Sequence, residues 1–530
     1  MSDQTTPDVS RRRFVQFMGG ALAISQTGLL SSCATGSQYK VKKIVMPKMT
    51  DEVELSYGLT YDVVVKWGDK INLKGDTFGF NNDYLAFTPI PGKENEAILW
   101  ANHEYTSPMF VNGYMSGGKR TKAQIDSERY TVGGALVKIQ KDCCGKWVVD
   151  SESEYGRRIT GATPIPFSNG EKIKGKTEAI GMVANCAGGV TPWGTILTCE
   201  ENYDGFYGEY PYGSKKRVHS RIGWERFYDE HPYRYGWVVE VDPFTGAAKK
   251  HTGIGRYAHE CATCVEAKDG RTVVYSGDDT DNEHIYKFIS KKKGDLSEGE
   301  LFVADIKNGK WISLDRNKNE KLKKAFKTQL DLLIETRTAA KMVGATPCDR
   351  PEDIEIQPGT ANVFVALTNN KKKGNFHGSI LKIAEKNGDF LSMEFDASDF
   401  VVGGEKSGFS CPDNLAFDKN GNLWMVTDIS GSTIGKGKYE KFGNNALFYI
   451  PMKGPNAGTA FRVGTAPNDA EFTGICFTPD YKTMFLSVQH PGEESKSLKE
   501  LTSHWPEGGD SIPRPSVIQI YGPLLDELMS

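Results

Sequence analysis

Six short apolar runs in this chain each end in polar side chains of the kinds that bind metal ions or phosphate. The runs occupy residues 97 to 105, 195 to 202, 272 to 279, 363 to 370, 423 to 430 and 484 to 491. Each resembles a buried strand, and a turn signal precedes most of them. Such spaced units predict a β-propeller in which every blade sends one strand to the axis. We therefore expect the six polar ends to form one site at a common mouth.

Length and composition allow one large domain, and the six recurring strand units favour an all-β domain over residues 51–530, a six-bladed β-propeller with helical and loop insertions. The chain has 530 residues and 57 glycines, which suits many short strands and tight turns. Its net charge is −3, and Lys and Arg are mixed with Asp and Glu, so no basic stripe indicates nucleic-acid binding. No apolar run reaches the length of a membrane span.

Two stretches depart from the strand pattern. Residues 318 to 344 carry Leu322, Phe326, Leu330 and Leu333 at helical spacing, which predicts an inserted amphipathic helix. Residues 203 to 235 are rich in Tyr, Gly, Arg and His and predict a long irregular excursion. These insertions could shape a substrate entrance or decorate the surface, and both alternatives stay open.

The N-terminal residues predict export. Residues 10 to 14 resemble a twin-arginine motif read by the twin-arginine export machinery, and residues 17 to 30 form a short apolar region. Residues 30 to 33 resemble a lipoprotein cleavage box, so residues 1–33 are predicted as the signal and Cys33 as a lipid anchor. An ordinary cleaved signal is the alternative. Residues 34–50 predict a polar tether, and the protein is expected in the periplasm or at the cell surface.

Ten cysteines become relevant once export is expected, because disulfides form outside the cytoplasm. Removing Cys33 leaves an odd number. Two pairs of cysteines lie close together in the sequence, Cys143 with Cys144 and Cys261 with Cys264. We expect each pair to form a surface disulfide or to remain as unreactive thiols. A structural zinc site is excluded because no second CxxC follows at a suitable spacing.

Seven strings along the chain carry a family resemblance. They lie at residues 102 to 105, 185 to 202, 255 to 260, 275 to 288, 350 to 358, 412 to 428 and 477 to 493. In this order they resemble the PhoX-type alkaline phosphatases, and the resemblance runs from about residue 50 to 525. It implies a six-bladed propeller with an axial cluster of ferric iron (Fe3+) and calcium (Ca2+). It further implies hydrolysis of phosphate monoesters with release of inorganic phosphate.

The resemblance also implies the metal ligands. Cys186 is the expected iron ligand, because a metal-held thiol is deprotonated and can bind ferric iron beside carboxylates. Carboxylate candidates are Glu104, Glu200, Glu201, Glu260 and Glu352. Candidates to complete calcium shells are Asn102, Asp278, Asp279, Asp413 and Asn414. Neighbours in a strand point to opposite faces, so only one of Glu200 and Glu201 is expected to meet the axis, and Glu200 is preferred.

Arg350 is the expected catalytic residue, because a phosphate dianion favours a bidentate cation that keeps its proton. It matches the family's arginine two residues before a metal-bound glutamate, here Glu352. His103, His259 and His490 stand beside the expected ligands and could orient or coordinate. The cysteine-rich stretch 258 to 264 departs from the family pattern, which leaves the ligation by Glu260 open.

Two other functions stay open at this point. One is a calcium-dependent propeller hydrolase of lactones or other esters, whose chemistry requires neither Cys186 nor Arg350. The other is a non-catalytic, metal-stabilised binding propeller, which predicts calcium without iron. The expected partners of the favoured function are small-molecule phosphate esters. A closed propeller leaves little unpaired strand edge, so a monomer is expected.

Overall fold

The computed structural model describes residues 45–115 and 118–530. The predicted export signal, Cys33 and the tether up to residue 44 lie outside the described residues. Within those described ranges, no helix has both the length and the apolar character needed to cross a bilayer.

The described part of the chain forms a six-bladed β-propeller, which confirms the predicted fold. Two strands, β1 (Glu54–Leu55) and β2 (Thr60–Lys66), precede the first blade. Blade 1 contains β3 (Asn82–Ile90), β4 (Lys93–His103), β5 (Gly133–Lys141), β6 (Trp147–Val149) and β7 (Arg157–Thr160). A small separate sheet contains β8 (Pro164–Pro166) and β9 (Glu178–Ile180). Blade 2 contains β10 (Asn185–Val190), β11 (Ile196–Glu200), β12 (Val238–Val241) and β13 (Ala248–His251).

Blade 3 contains β14 (Thr263–Glu266), β15 (Thr272–Gly277), β16 (Ile285–Lys292), β17 (Asp295–Asp305) and β18 (Lys310–Ser313). Blade 4 contains β19 (Pro351–Ile356), β20 (Asn362–Leu367), β21 (Ser379–Glu385) and β22 (Phe395–Val402). Blade 5 contains β23 (Pro412–Phe417), β24 (Leu423–Thr427), β25 (Ala446–Ile450) and β26 (Phe461–Thr465). Blade 6 contains β27 (Glu471–Phe477), β28 (Met484–Gln489) and β29 (Ser516–Tyr521).

The innermost strand of each blade is the first one, because neighbouring blades contact each other through β3, β10, β14, β19, β23 and β27. The six apolar runs instead contain β4, β11, β15, β20, β24 and β28, the second strand of each blade. The expectation that these runs lie at the axis is therefore wrong. They are apolar because a second strand is covered by the adjacent blades on both faces.

The two earliest strands close the ring. Strand β1 pairs with β26 as the outer strand of blade 5, and β2 pairs with β29 as the outer strand of blade 6. Hydrophobic clusters fill the space between blades. One of them joins Leu99 and Val137 of blade 1 to Phe485 and Val517 of blade 6, all fully buried. Burial of each such side chain contributes about 1.5–3 kcal/mol.

The helices lie in connections between strands, except the last one, which follows the final strand. They are α1 (Pro108–Asn112), α2 (Lys122–Thr131), α3 (Asp204–Tyr207), α4 (Glu320–Ala325), α5 (Gln329–Ile334), α6 (Thr336–Val343) and α7 (Pro523–Leu528). Short 3-10 helices occupy Ser168–Gly170, Trp224–Arg226, Pro232–Arg234, Thr252–Ile254, Arg316–Lys318, Lys371–Lys373, Lys386–Gly388 and Gly437–Tyr439.

The predicted helix over 318 to 344 is divided into α4, α5 and α6. Phe326 adopts an extended backbone that ends α4, and the Thr328 side chain accepts from Asp331 N to start α5 in a capping box. The two insertions touch, since Tyr233 Oη donates to Glu335 Oε1 at 3.2 Å. They therefore form one joint structure beside blades 2 and 3.

Candidate metal centre

The mouth of the propeller is the end at which first strands begin and second strands end. Because these neighbours are antiparallel, Asn82 pairs with His103 and Asn185 with Glu200. The corresponding pairs in blades 3 to 6 are His259–Asp278, Pro351–Leu367, Pro412–Thr427 and Glu471–Gln489. In blades 1 to 3, the residue after each paired residue is an acid or a cysteine. The fold thus brings two rows of potential ligands to one place.

The entry into several first strands is conformationally unusual. Asn81, Ala184, Arg350 and Cys411 immediately precede these strands and have φ values of 45°, 52°, 54° and 54°. Residues other than glycine rarely adopt this left-handed region. The strand register also shifts within the next three residues in blades 1, 2, 4 and 5. Backbone strain and bulges of this kind concentrate at functional sites, where they re-aim side chains.

Three groups of potential ligand atoms lie at the mouth, and within each group the atoms are within 4.8 Å of one another. The groups are Asp83, Glu104 and Cys186; Cys186, Glu201 and Glu260; and Glu260, Asp279 and Glu352. Cys186 and Glu260 each belong to two groups. The three groups therefore form one continuous cluster of seven residues, referred to below as the donor cluster.

Cys186 connects the two sides of the donor cluster through its sulfur. Its Sγ lies 3.3 Å from Asp83 Oδ2 and 3.2 Å from Glu260 Oε1. Burial raises the pKa of the Cys186 thiol, and the negative charges of Asp83 and Glu260 raise it further. A cation bound here would reverse this effect and favour the thiolate.

Asn102 is not a member of the donor cluster but supports the backbone that carries Cys186. Its Nδ2 donates to the carbonyl oxygens of Cys186 at 2.5 Å and Ala187 at 3.0 Å. Its Oδ1 accepts from Trp100 Nε1 at 2.6 Å and Thr198 Oγ1 at 2.7 Å. Both ends of the Asn102 amide are therefore engaged within the protein, where they hold the backbone at Cys186. The structure does not place Asn102 among the potential calcium ligands, contrary to the expectation from the sequence.

The donor cluster concentrates negative charge in a buried space. Burial raises the pKa values of Glu201, Glu260 and Glu352, and the neighbouring carboxylates raise them further. Burial also raises the pKa of Glu104 to about 7. Among the described residues, Asp83 Oδ1 and Glu260 Oε2 are buried without a hydrogen-bond partner. Buried carboxylates without partners are costly unless cations pair with them, so the donor set fits bound metal ions.

Arg350 brings a positive charge to the donor cluster. Its Nε and Nη2 donate to the two oxygens of Asp279, both at 2.8 Å, and Nη2 also lies 2.8 Å from Glu352 Oε1. The side chain is 27% exposed, so the guanidinium is partly open to solvent at the mouth. This arrangement places the predicted catalytic arginine where an anionic ligand of the cluster would meet it.

In each of two pairs of adjacent acids, one side chain points into the donor cluster and the other points away from it. Glu201 and Asp279 belong to the donor cluster. Glu200, the preferred residue of its pair, points away from the cluster and forms an ion pair with Lys250 at 2.7 Å. The preference for Glu200 is therefore corrected in favour of Glu201. Asp278 is likewise engaged elsewhere, in an ion pair with Arg337, and does not join the calcium-binding residues expected from the sequence.

The remaining candidates lie around the cluster. Asp413 is buried at the mouth, and burial together with Glu352 and Glu471 raises its pKa. Asn414 Oδ1 accepts from Gly474 N at 2.9 Å and so links blades 5 and 6. His490 Nε2 lies 3.1 Å from Glu471 Oε1.

The other two histidines have structural partners. His259 contacts Ser276 Oγ and the Gly255 carbonyl at 2.9 and 2.8 Å, and burial lowers its pKa to about 3. His103 Nε2 accepts from Gly79 N at 3.2 Å.

Three acids at the mouth are absent from the sequence-derived candidates. Asp83 is a member of the donor cluster. Asp428 and Glu471 share a hydrogen bond in the neighbouring blades, which together with burial raises the pKa of Glu471. Asp428 directly follows a second strand, as Glu104 and Glu201 do, and could have been found by that rule. Asp83 and Glu471 belong to first strands, and no sequence pattern indicates that these strands lie at the axis.

Known proteins resemble this chain to different degrees. A family model described as alkaline phosphatase PhoX matches residues 41–492. PhoX from Pseudomonas fluorescens, solved with vanadate, a transition state analogue, is 31% identical with a TM-score of 0.81, over 91% of this chain and 97% of that one. A gluconolactonase from Xanthomonas campestris is 10% identical with a TM-score of 0.35, over 91% of this chain and 99% of that one. No curated protein sequence matched.

Proposed function

Because this chain belongs to the PhoX family of alkaline phosphatases, we propose that it hydrolyses phosphate monoesters at the donor cluster and releases inorganic phosphate. The observation that carries this proposal is the meeting of six buried acids and the half-buried Cys186 thiol with Arg350 at one mouth. Phosphoryl transfer needs concentrated positive charge around the transferring group. Bound cations together with Arg350 would provide that charge.

The proposed cofactors are ferric iron and calcium. Carboxylate oxygens from Asp83, Glu104, Glu260 and their neighbours suit calcium, which takes six to eight oxygen ligands. The Cys186 thiolate beside carboxylates suits iron. When bound, these cations would act as Lewis acids that neutralise charge on phosphoryl oxygens.

The protein's own residues orient the substrate and shield the site. Arg350 Nε and Nη2 are held by Asp279, so the guanidinium stays in a fixed orientation toward the mouth. A fixed, permanently protonated guanidinium is suited to bind a phosphate dianion without reorganising. Gln489 Nε2 donates to Glu104 Oε2 at 2.7 Å and holds that carboxylate in place.

The test is metal analysis of protein produced through its native route, combined with a phosphomonoesterase assay. We expect iron and calcium in the purified protein, and release of phosphate from a model monoester that stops when calcium is chelated. Calcium without iron and without turnover would contradict the proposal and favour the binding propeller. Turnover of lactones in place of phosphate monoesters would favour the calcium-dependent hydrolase.

Export and anchoring are part of the same proposal. The protein would leave the cytoplasm through the twin-arginine machinery, reach the periplasm or cell surface, and carry lipid on Cys33. Replacing Arg11 and Arg12 with lysine should retain the precursor in the cytoplasm. Replacing Cys33 with serine should release the exported protein from the membrane fraction. Unchanged fractionation of either variant would contradict its part of the proposal.

A further inference from the structure

Glu200 lies next to the donor cluster and is fully enclosed. Its Oε1 accepts from Val183 N at 3.1 Å, and its Oε2 accepts from Gly236 N at 3.0 Å and Trp237 N at 3.1 Å. Lys250 Nζ donates to both oxygens, at 2.7 and 2.9 Å. One carboxylate therefore joins the approach to β10, the end of the long excursion, and the outer strand β13.

The contacts of Glu200 reach the segment that carries Cys186. Val183, whose N–H binds Glu200, is followed by Ala184 in the left-handed conformation with a φ of 52°. The Ala184 carbonyl accepts from Glu201 N at 2.8 Å. Glu200 thus stabilises the left-handed turn at Ala184, which accepts a hydrogen bond from Glu201 N and lies two residues before Cys186.

The main chain of Glu200 extends this connection to the third member of the group. Its carbonyl oxygen accepts from His259 N at 3.2 Å, and His259 directly precedes Glu260. Cys186, Glu201 and Glu260 form one of the three groups of potential ligands. Each of the three members is therefore at most three residues along the chain from Glu200 itself or from a residue that Glu200 hydrogen-bonds.

Lys250 compensates the charge of Glu200. Both side chains are fully buried, and Lys250 Nζ also donates to the Arg234 carbonyl at 3.1 Å and lies 4.5 Å from the centroid of the Tyr235 ring. A buried carboxylate without a partner would be strongly destabilising. With Lys250 present, Glu200 can orient the backbone without adding to the negative charge of the cluster.

We infer that Glu200 is a positioning residue for metal binding, which fixes Cys186, Glu201 and Glu260 relative to one another, with Lys250 as its counter-ion. The inference rests on the proposed function, because it assumes that this group binds metal. Outer partners that orient ligands change metal affinity by about 10- to 100-fold when they are mutated. Glu200 acts here through backbone contacts.

The chain contains a matched control for this ion pair. Glu385 and Lys287 are also fully buried and lie 2.8 Å apart. Glu385 is the last residue of β21, a strand that runs away from the mouth, so this pair lies at the opposite end of the propeller. Loss of either glutamate should affect stability alike, whereas only loss of Glu200 should affect the metal.

The test compares Glu200→Gln with Glu385→Gln. Glutamine has one acceptor oxygen, so at position 200 it cannot accept from both Val183 and Trp237. We expect both variants to unfold at a lower temperature. Only Glu200→Gln should lose iron and calcium at a chelator concentration at least about 10-fold below that needed for the wild type. Bound metal is measured by elemental analysis after dialysis, independently of activity.

A double variant separates positioning from charge balance. Glu200→Gln with Lys250→Met removes both charges and should recover part of the lost unfolding temperature while metal retention stays low. Wild-type retention in the double variant, or equal metal loss in Glu385→Gln, would overturn the inference. A wild-type protein without iron and calcium would instead refute the proposed function itself, so the two failures are distinguishable.

Discussion

The two sides of the mouth differ in how their charges are balanced. On the side of blades 1 to 4, Cys186 and six carboxylates form the linked donor groups, and two of the carboxylate oxygens in these groups, Asp83 Oδ1 and Glu260 Oε2, are buried without a hydrogen-bond partner among the described residues. On the side of blades 5 and 6, Glu471 contacts His490 at 3.1 Å and shares a hydrogen bond with Asp428. Within the described chain, the first side has one side-chain cation, Arg350, for six carboxylates and a thiol, so it depends on bound cations for charge balance, whereas on the second side His490 lies beside Glu471.

This difference suggests a division of labour between the two sides. A thiol among carboxylates suits iron, and an all-oxygen environment with amide and carboxylate groups suits calcium. Variants on the side of blades 1 to 4, which has the thiol and most of the carboxylates, should therefore affect iron, calcium and turnover together. Variants on the side of blades 5 and 6 should mainly change the calcium requirement. The following experiments test that contrast.

The largest effect is expected from Cys186→Ala. Removing the shared sulfur separates the first two donor groups, so iron and activity should disappear together, a loss beyond the about 1,000-fold upper range for removing one electrostatic donor. Elemental analysis and the rate of phosphate release measure the two quantities. Cys143→Ala, at an exposed position, is the control and should change neither. Retention of iron by Cys186→Ala would show that the thiol is structural.

Arg350→Lys should have the next largest effect. Lysine keeps the positive charge but cannot bind both oxygens of Asp279 and a phosphate with a planar fork, so kcat/KM should fall about 100-fold. Iron and calcium content should stay at the wild-type level, which distinguishes this variant from Cys186→Ala. Steady-state kinetics and elemental analysis are the measurements. Wild-type kinetics in Arg350→Lys would exclude a role in phosphate binding.

Glu471→Gln should have a smaller and more selective effect. It removes one acid from the side of blades 5 and 6, outside the donor cluster, so the calcium concentration needed for half-maximal activity should rise about 10-fold. Iron content should not change. Glu201→Gln, on the opposite side, is the matched variant and should lose iron. Equal iron loss in both variants would break the contrast between the two sides.

The smallest effect is expected in the pH dependence of stability after metal removal. Burial raises the pKa of Glu104 to about 7, so the folded state binds a proton that the unfolded state has released. Stability from this group is complete below the ordinary carboxyl pKa and is lost as pH rises to about 7. Chelated protein should unfold at a higher temperature at pH 5 than at pH 8.

Glu104→Gln should reduce this pH dependence without abolishing it, because the pKa values of Glu201, Glu260 and Glu352 are also raised. Added calcium should remove the pH dependence in the wild type. Thermal denaturation at the two pH values measures both effects. Metal-free wild-type protein that is more stable at pH 8 would contradict the assignment of Glu104 to an uncompensated buried cluster.

The propeller could be predicted from sequence because its apolar second strands recur with similar turn signals. The same regularity concealed the order of strands within each blade. The first strands are less uniform, since β10 contains Gly188 and Gly189 and β14 follows a cysteine-rich stretch. Their position at the axis follows from contacts between blades, which are long-range and leave no local pattern.

The candidate site was predictable where the acids follow a second strand, as Glu104 and Asp279 do. Alternation along a strand correctly implied that one of Glu200 and Glu201 faces away, but it could not say which one. That choice depends on the strand register and on Lys250, fifty residues later in the chain. The helix over 318 to 344 was divided for a local reason, because Thr328 begins a new helix inside the apolar pattern.

The way the ring closes determines when the site can exist. Blade 6 takes its outer strand from β2 near the start of the described chain and its other strands from residues 471 to 521. Gln489 Nε2 binds Glu104 Oε2 across this junction, so the first and last blades share a wall of the mouth. A growing polypeptide lacks that wall until its final blade has been synthesised. The mouth is therefore complete only after the last blade has folded onto the first.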